Sequence, residues 1–371
     1  MKRKLVVISN TEWSIYNFRS ELVEKMLSEG FDVHIVCERQ AVRHYFSESQ
    51  NIHNIALNIT TGLFSEILKF ISLFFLFLKI RPDCVLSFTI KPNLYTALLK
   101  IFFRYHLIVN ITGLGKMFAD RKHPFIKTLF KSFYRKAVRI SDIVFYQNKS
   151  IPKTLEFDPD NQKYVLLPGS GVPKSDLKKD YKNHSEKLKF VFVGRLLMNK
   201  GIQEYVLSAG EIIKRYPNVS FDIYGFTSTD GLGEITLEQI NKMACENGVN
   251  FNGPLQDASK KIVTYDCLIC PTFYNEGLPR VLLEAGSVGL FTIATKIPGC
   301  EEIITDGFNG LLCEPQSVSS LTSKISEFIQ MTIVERAKIG NNAKIRVEAS
   351  FTIDIVLAEY QKAVNLIDAH P

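Results

Sequence analysis

The 371-residue sequence lacks an apolar run long enough to span a bilayer. Its most lipid-like stretch, residues 71–78, is bracketed by Lys69 and Lys79, whereas a spanning helix needs about 20 predominantly apolar residues. The N-terminus also lacks the apolar centre of a signal peptide, because polar residues follow Ile8 at once. We therefore expect a protein that stays in the cytoplasm and does not cross the membrane.

Cysteine is scarce, and its distribution does not resemble a disulfide framework. The seven cysteines are odd in number and spread thinly from Cys37 to Cys313, which favours a reducing compartment. Cys267 and Cys270 form the only C-x-x-C, and no second pair completes a zinc site. In a strand they would point to opposite faces, so we interpret them as core residues. No internal repeat or low-complexity tract is present either.

Length and charge define the broad class of the protein. A chain of 371 residues with 46% apolar residues exceeds what one core usually supports and can fill two. The net charge of +7 indicates an anionic partner, which could be a phosphorylated small molecule, a lipid surface or nucleic acid. No groove-reading motif accompanies the charge, so we do not expect nucleic acid.

Short β-branched runs alternate with helical patterns, which predicts parallel sheets covered by helices. The first half opens with strand 4–9, helix 17–29 and strand 32–37. The βαβ pattern starts again with strand 188–194 and continues with helix 202–215. The sequence therefore predicts two α/β domains of the same kind.

A turn-rich stretch separates the two βαβ patterns. Residues 168–173 are rich in glycine and proline, and a polar segment follows them. We place an N-terminal domain at residues 1–168, a linker at 169–187 and a second domain at 188–352. A last helix, within 353–371, is expected to return to the first domain.

Three strand-to-helix loops in the second half of the chain are candidate ligand sites. Ligands of open α/β sheets bind beyond the carboxyl ends of the strands, so such loops are candidate sites. The first loop, 194–201, carries Arg195 and Lys200, two cations that can bind one anion. Its alternative interpretation is a solvated basic turn. Another loop, 296–303, could close the floor of the same cleft or be a plain connection.

The remaining loop, 273–280, leads into the helix that carries Glu284. Pro279 suits the first helical position, and Gly277 lets the main chain approach a diphosphate closely. Glu276 and Glu284 would lie at different depths of one cleft, where each could accept hydrogen bonds from sugar hydroxyls. Alternatively, both glutamates could serve only the helix dipole.

Residues 116–139 combine eight cations and several aromatic residues with the single acid Asp120. This pattern predicts a basic amphipathic helix, which could bury its rings at the headgroup boundary of an anionic membrane. Each cation near such a surface contributes about 1 kcal/mol. The alternative is a helix packed on the first domain with a solvated basic face. The residues expected at the membrane are Lys127, Phe130, Lys131, Phe133 and Arg135.

The run Glu276-Gly-Leu-Pro-Arg-Val-Leu-Leu-Glu284 resembles the family 4 retaining glycosyltransferases of GT-B fold. Gly194-Arg195 and Lys200-Gly201 upstream, and residues 305–312 downstream, belong to the same resemblance, which covers the whole second domain. It implies an α/β fold of two Rossmann-like domains whose parallel sheets face an interdomain cleft. In the first domain, 88–93 and 110–115 look like bacterial enzymes that build surface polysaccharides on polyprenyl diphosphate.

The resemblance also implies roles for individual residues. Arg195 and Lys200 would hold the donor diphosphate, Glu284 would bind the ribose hydroxyls, and Glu276 would contact the transferred sugar. Two fixed cations suit the charge that develops on the leaving group, so no metal and no other cofactor is expected. The implied catalytic residues are Glu276, Arg195 and Lys200. The full donor-binding set is Gly194, Arg195, Lys200, Glu276, Gly277, Leu278, Pro279 and Glu284. The acceptor-side set is Asn10, Lys91, Asn110, Thr112 and Gly113.

Two features depart from the patterns of known glycosyltransferases. Many relatives carry a histidine at the end of the strand that reads Val109-Asn110-Ile111-Thr112 here, and Asn110 or Thr112 could take its place. Asp158-Pro159-Asp160 imitates the metal-binding carboxylates of the other glycosyltransferase fold but lies in a turn-rich segment, so we interpret it as a turn.

The expected function is transfer of a hexose or N-acetylhexosamine, with retention, from a UDP-sugar to a polyprenyl-diphosphate-linked saccharide. The product would enter O-antigen, capsule or another surface polysaccharide. The expected partners are the UDP-sugar, the lipid-linked acceptor and an anionic membrane, and the expected location is the inner face of the cell membrane. Two alternatives remain open: a sugar-nucleotide 2-epimerase of the same fold, and a non-catalytic membrane-binding scaffold.

Overall fold

The computed structural model describes most of the chain as two compact units. It describes residues 2–38, 46, 51–57, 62–114, 124–181, 187–226, 235–255, 258–274 and 277–366, with only the backbone of Leu63 and residues 124–127. Unit 1 comprises the described residues within Met1–Ser170, Asn275–Gly277 and Asp354–Pro371. Unit 2 comprises those within Gly171–Tyr274 and Leu278–Ile353.

Unit 1 is built on a seven-stranded sheet in the order β3-β2-β1-β4-β5-β6-β7, and all its strand pairs are parallel. Parallel strands buried on both faces read as apolar runs, as the fully buried β4 illustrates. The strands are β1 (Lys4–Thr11), β2 (Asp32–Glu38), β3 (Asn51–Asn54), β4 (Cys84–Phe88), β5 (His106–Ile111), β6 (Ile143–Tyr146) and β7 (Tyr164–Leu166).

Helices connect these strands. They are α1 (Glu12–Ser28), α2 (Leu63–Ile80), α3 (Ile90–Leu99), α4 (Pro124–Ile140) and α5 (Ser150–Leu155), with α13 (Ile353–Asn365) at the C-terminal end. The first helix begins five residues before the predicted Asn17, because the Thr11 hydroxyl accepts a hydrogen bond from the Ser14 amide (3.2 Å) and caps the helix at Glu12.

One core cluster lies between the unit 1 sheet and α2, α3 and α4. Alternate strand residues such as Val6, Val85 and Val109 share this cluster with Phe77 of α2 and Tyr134 of α4. Because alternate residues of a strand point to one face, these three helices cover the same face of the sheet.

The C-terminal helix α13 packs within unit 1 through Tyr360. Its ring contacts Phe88 and Phe145 at centroid distances of 6.2 and 4.9 Å. Its hydroxyl is hydrogen-bonded to the side-chain oxygen of Asn110. Burial raises the pKa of Tyr360 to about 12, so the hydroxyl remains protonated at neutral pH.

Unit 2 contains a six-stranded parallel sheet in the order β10-β9-β8-β11-β12-β13. The strands are β8 (Leu188–Val193), β9 (Val219–Tyr224), β10 (Asn250–Phe251), β11 (Cys267–Cys270), β12 (Phe291–Thr295) and β13 (Leu311–Cys313). The helices are α6 (Ile202–Arg215), α7 (Leu237–Glu246), α8 (Ala258–Ile262), α9 (Arg280–Ser287), α10 (Pro298–Glu301), α11 (Val318–Gln330) and α12 (Ile333–Ser350). The predicted α/β class with two Rossmann-like parallel-sheet domains is confirmed.

The C-x-x-C motif lies in β11, where both cysteines are buried. Cys267 belongs to the core cluster on one face of the sheet and Cys270 to the cluster on the other. The interpretation of both as core residues is confirmed.

Residues 171–181, which were predicted to be part of a linker, belong to unit 2 and pack against its other residues. The Lys179 amide donates to Val288 O (2.7 Å), and its ammonium group donates to buried Asp266 (3.0 Å). The Tyr181 hydroxyl donates to Gly289 O at 3.0 Å. These contacts explain why unit 2 begins at Gly171.

No helix in the described ranges combines the length and the apolar character needed to cross a membrane.

Candidate functional site

Three strand-to-helix loops of unit 2 meet at one edge of its sheet. They follow β8, β11 and β12, which are neighbours in that order and run parallel. The carboxyl ends of neighbouring parallel strands share one edge, which is where ligands of such sheets bind. The three loops that the sequence singled out therefore belong to one site-forming edge.

The loop after β8 is fixed by a close backbone approach at Gly201. A 3₁₀ turn over Met198–Lys200 leads to Gly201, whose φ is +75°. A Cβ atom at this position would lie 2.1 Å from the carbonyl oxygen of Pro271. Glycine is required here on both grounds, and the first loop contacts the chain just beyond β11.

Further contacts join the two loops. The Phe273 amide donates to Asn199 O at 2.9 Å, and the Thr272 hydroxyl donates to the same oxygen at 3.3 Å. The Lys200 ammonium group lies 5.6 Å from the ring centroid of Tyr274, within the range of a cation–π contact. Lys200 is thus held at the junction of the two predicted donor loops.

Arg195 lies at the start of the same loop, half-buried, directly after Gly194. Among the residues that the structure describes, its guanidinium group has no hydrogen-bond or ion-pair partner. A guanidinium carries five N–H donors and binds phosphate through paired hydrogen bonds. Arg195 can therefore accept an anionic ligand without giving up a protein contact.

Glu284 lies in α9, where Arg280 holds it. The Arg280 Nε donates to Glu284 Oε1 at 2.9 Å, and both side chains are about one-fifth exposed. Sequence reasoning missed Arg280, although its spacing of four residues from Glu284 is the one that pairs charges on a helix. Pro279, predicted as the first helical residue, is instead the N-cap, so α9 begins one residue later, at Arg280.

The predicted diphosphate-binding glycine, Gly277, belongs to unit 1. Its amide donates to Thr112 O at 2.9 Å, and a Cβ atom there would lie 2.1 Å from Gln147 Oε1. Leu278, the next residue, packs on the second core cluster of unit 2. Glu276 lies outside the described residues.

Two acceptor-side candidates of unit 1 have contrasting surroundings. The Asn10 side-chain oxygen at the end of β1 is buried and, within the described chain, has no hydrogen-bond partner. Lys91 instead pairs with Glu66 at 3.2 Å, and Glu66 also accepts hydrogen bonds from Lys69 and Tyr95. Burial alone would raise the pKa of Glu66, but these partners outweigh it and lower the pKa below its usual value.

Asn110 has a structural role that the acceptor-side prediction did not include. Its amide nitrogen donates to Ser87 O at 3.2 Å, and its side-chain oxygen is hydrogen-bonded to Tyr360. Both ends of the buried amide are thus engaged within unit 1, and this geometry does not favour contact with a substrate. Thr112 offers its backbone oxygen to Gly277, and Gly113 follows with φ +145°.

Thr89 is a candidate that sequence reasoning did not single out. It has φ +70° and ψ 161°, a region almost restricted to glycine. Its hydroxyl is buried without a hydrogen-bond partner in the described chain, as are the hydroxyl of Ser87 and the side-chain oxygen of Asn93. Ser87 lies on one side of the junction between β4 and α3, and Thr89 and Asn93 lie on the other side, inside the motif 88–93. Such strain clusters at functional sites, and the motif was the available signal.

The predicted membrane residues of α4 do not form one exposed row. Phe130 stacks on Tyr134 at 6.3 Å and packs against the core. Lys131 and Arg135 both pair with Glu156. Phe133 is 55% exposed, and the side chain of Lys127 lies outside the described ones. Glu156, which follows α5, is thus an acidic partner for the two cations that the local pattern of α4 cannot reveal.

The described residues contain no candidate metal centre, and the Asp158-Pro159-Asp160 tripeptide forms a turn. Within the described ranges, no three His, Cys, Asp or Glu side chains come close enough to hold a metal ion. The Asp158 carboxylate accepts a hydrogen bond from the Asp160 amide at 3.1 Å, as in an Asx turn. The interpretation of the tripeptide as a turn is confirmed, and metal independence stays a prediction.

Two family models match the chain. Residues 173–346 match the family described as glycosyl transferases group 1. Residues 4–148 match the family described as glycosyl transferase 4-like. The first match contains the whole site-forming edge of unit 2.

Among curated proteins, two bacterial relatives align over most of their length. The capsular polysaccharide biosynthesis glycosyltransferase CapM of Staphylococcus aureus is 24% identical over 92% of this chain and 92% of its own. The N,N'-diacetylbacillosaminyl-diphospho-undecaprenol alpha-1,3-N-acetylgalactosaminyltransferase of Campylobacter jejuni is 22% identical over 87% of this chain and 88% of its own.

Solved structures share the fold. Sucrose-phosphate synthase from Thermosynechococcus elongatus has a TM-score of 0.83 at 16% identity and covers the whole of both chains. Anabaena HepE in complex with UDP and glucose has a TM-score of 0.75 at 13% identity, covering 98% of this chain and 99% of that one. These similarities support the GT-B fold.

Proposed function

From the premise that this chain is a glycosyltransferase of the group 1 type, we propose that it moves a hexose or N-acetylhexosamine from a UDP-sugar to a polyprenyl-diphosphate-linked saccharide. Transfer would retain the anomeric configuration and serve a bacterial surface polysaccharide. The names of the two bacterial relatives, which refer to a capsule and to a diphospho-undecaprenol substrate, support this acceptor. The UDP in the HepE complex supports the choice of donor.

The contact between the loop after β8 and the chain beyond β11 carries the proposal. It brings the Lys200 loop against Pro271 and Tyr274, at the edge where a nucleotide would bind. In the proposed role, Arg195 and Lys200 bind the donor diphosphate and stabilise the charge on the departing UDP. This stabilisation grows as the bond between the sugar carbon and the phosphate oxygen breaks, so it lowers the barrier instead of only tightening binding.

The acids are proposed to bind the neutral parts of the donor. Glu284 accepts hydrogen bonds from the ribose hydroxyls, and its pairing with Arg280 at 2.9 Å fixes its side chain in one orientation. Glu276 contacts the transferred sugar. The new glycosidic bond forms as the bond to UDP breaks, and the leaving phosphate oxygen accepts the proton of the acceptor hydroxyl. On this proposal the protein supplies positioning and charge, and needs no metal.

The acceptor is proposed to bind in unit 1 at the ends of β1, β4 and β5, where Asn10, Lys91, Thr112 and Gly113 lie. Lipid-linked acceptors are confined to the bilayer surface, so the protein would work at the inner face of the cell membrane.

Transfer assays with site variants test this function. Purified protein would be incubated with a panel of radiolabelled UDP-sugars and a synthetic polyprenyl-diphosphate saccharide. We expect Arg195→Ala and Lys200→Ala each to lower kcat/KM by about a hundredfold or more. The matched controls, Arg215→Ala and Lys214→Ala, change exposed cations of the same unit and should retain activity.

Equal activity of the site variants and their controls would refute the assignment. Conversion of the UDP-sugar to its 2-epimer without any acceptor would instead establish the epimerase alternative. The anomeric configuration of the product, determined by NMR, tests retention directly.

A further inference from the structure

The outer face of α2 exposes an unusually apolar row. Its residues recur at steps of three and four along the helix, which places them on one side. Phe64 is 75% exposed and Phe75 64% exposed. Leu73, Phe77 and Ile80 lie on the opposite side and are buried in the core of unit 1. The row consists of Phe64, Ile67, Leu68, Ile71, Phe75 and Leu78.

The row continues onto the turn that follows α3. Phe102 is 61% exposed, and Ile101 beside it is also exposed. The Phe74 ring lies 5.5 Å from the Phe102 ring and 6.0 Å from the Phe75 ring, so it joins the two patches. We call the α2 row together with Ile101 and Phe102 the α2–α3 surface. Soluble monomers rarely expose contiguous apolar patches of more than a few hundred square ångströms, and larger ones mark interaction sites.

The side chains at the border of this surface include three exposed cations. Lys79, Arg81 and Arg104 are exposed, and none forms an ion pair with any carboxylate in the described part of the chain. The carboxylate of Glu66, the acid of α2, is engaged by Lys69, Lys91 and Tyr95. An apolar face bordered by free cations complements a bilayer that carries anionic headgroups.

We propose that the α2–α3 surface inserts into the interfacial region of a membrane containing anionic lipid, with Lys79, Arg81 and Arg104 at the headgroups. This inference rests on the proposed function and deepens it by locating its membrane contact, which it assigns to α2 and the turn after α3, where the sequence pattern pointed to α4. Lipid is favoured over a protein partner because the border has cations without unengaged acids, whereas protein interfaces are bordered by polar groups of mixed character.

Vesicle co-sedimentation tests the surface directly. The protein should bind phosphatidylglycerol-containing vesicles and bind pure phosphatidylcholine vesicles weakly. The double variant Phe75→Ser/Phe102→Ser should bind the anionic vesicles about tenfold more weakly or worse. Phe133→Ser, which changes a similarly exposed ring of α4, is the matched control and should bind like the unmodified protein. The triple variant with glutamine at the three cations should lose the salt-sensitive part of binding.

Thermal unfolding verifies that each variant is folded. We expect little change in Tm, because all the changed rings are exposed. Unchanged vesicle binding by the folded double variant would overturn the inference. So would a dimer in sedimentation velocity that the double substitution abolishes, because a second copy would then be the occupant. Transfer to a short-chain, water-soluble diphosphate acceptor separates the two claims: the double variant should retain it. Surface-dependent vesicle binding without any transferase activity would refute only the proposed function.

Discussion

Replacing Gly201 with alanine should strongly destabilise unit 2, and the structure allows the effect to be divided into two parts. Gly201 has φ +75°, a conformation that costs an L-residue about 1–2 kcal/mol. The added Cβ would also lie 2.1 Å from the carbonyl oxygen of Pro271, which is backbone and cannot rotate away. Forcing the two loops apart costs typically about 1–3 kcal/mol more. We therefore expect Gly201→Ala to lower the free energy of unfolding by about 3 kcal/mol in total.

Gly307→Ala provides the matched control. Gly307 also lies in unit 2 with φ +73°, but nothing lies within 4 Å of its Cβ position. This variant should show only the conformational part, about 1 kcal/mol.

Scanning calorimetry measures both variants. For domains of 150–250 residues, each kcal/mol shifts Tm by about 2–4 °C, so the control should lose a few degrees and Gly201→Ala roughly three times as much. The larger loss should be accompanied by weaker UDP binding, because the same contact joins the two donor loops. Equal Tm values for the two variants would refute the steric reasoning.

Three further predictions concern contacts away from the donor loops. Lys179→Met should destabilise unit 2 by about 3 kcal/mol in denaturant unfolding, because it leaves Asp266 buried without its ion pair. Tyr360→Phe should cost about 1–2 kcal/mol in the same assay, because the buried Asn110 oxygen loses its donor. Glu66 has a lowered pKa, so its ionised form stabilises the fold above about pH 4.5 and that contribution is lost as pH falls further. Glu66→Gln should therefore flatten the fall of Tm on acidification, and an unchanged profile would contradict this.

The sequence was sufficient where local patterns decide structure. Buried parallel strands read as apolar runs, and the helix 202–215 was predicted with the bounds that the structure has, because Gly201 and Tyr216 end the periodic pattern. The start of α1 was predicted five residues too late. The apolar pattern of this helix is weak, and its first residue is set by the cap at Thr11.

Contacts between distant parts of the chain could not be predicted. Asn110 and Tyr360 are 250 positions apart, and Glu156 is 25 positions from Lys131. No local signal shows that Tyr360 engages Asn110, a predicted acceptor residue. None shows either that Glu156 pairs with Lys131, a predicted membrane cation. The α2 row was visible as an apolar stretch, but its division into a buried and an exposed side depends on how α2 packs on the sheet.

Calorimetric titration with UDP and with uridine tests the central claim most directly, namely that the loop after β8 binds the donor diphosphate. Hydrogen bonds to charged groups contribute about 1.5–3 kcal/mol, so Arg195→Ala should weaken UDP binding by roughly 10- to 100-fold. Uridine, which has no phosphates, should bind the variant and the unmodified protein equally. Unchanged UDP affinity in Arg195→Ala, or an equal loss for both ligands, would contradict the account.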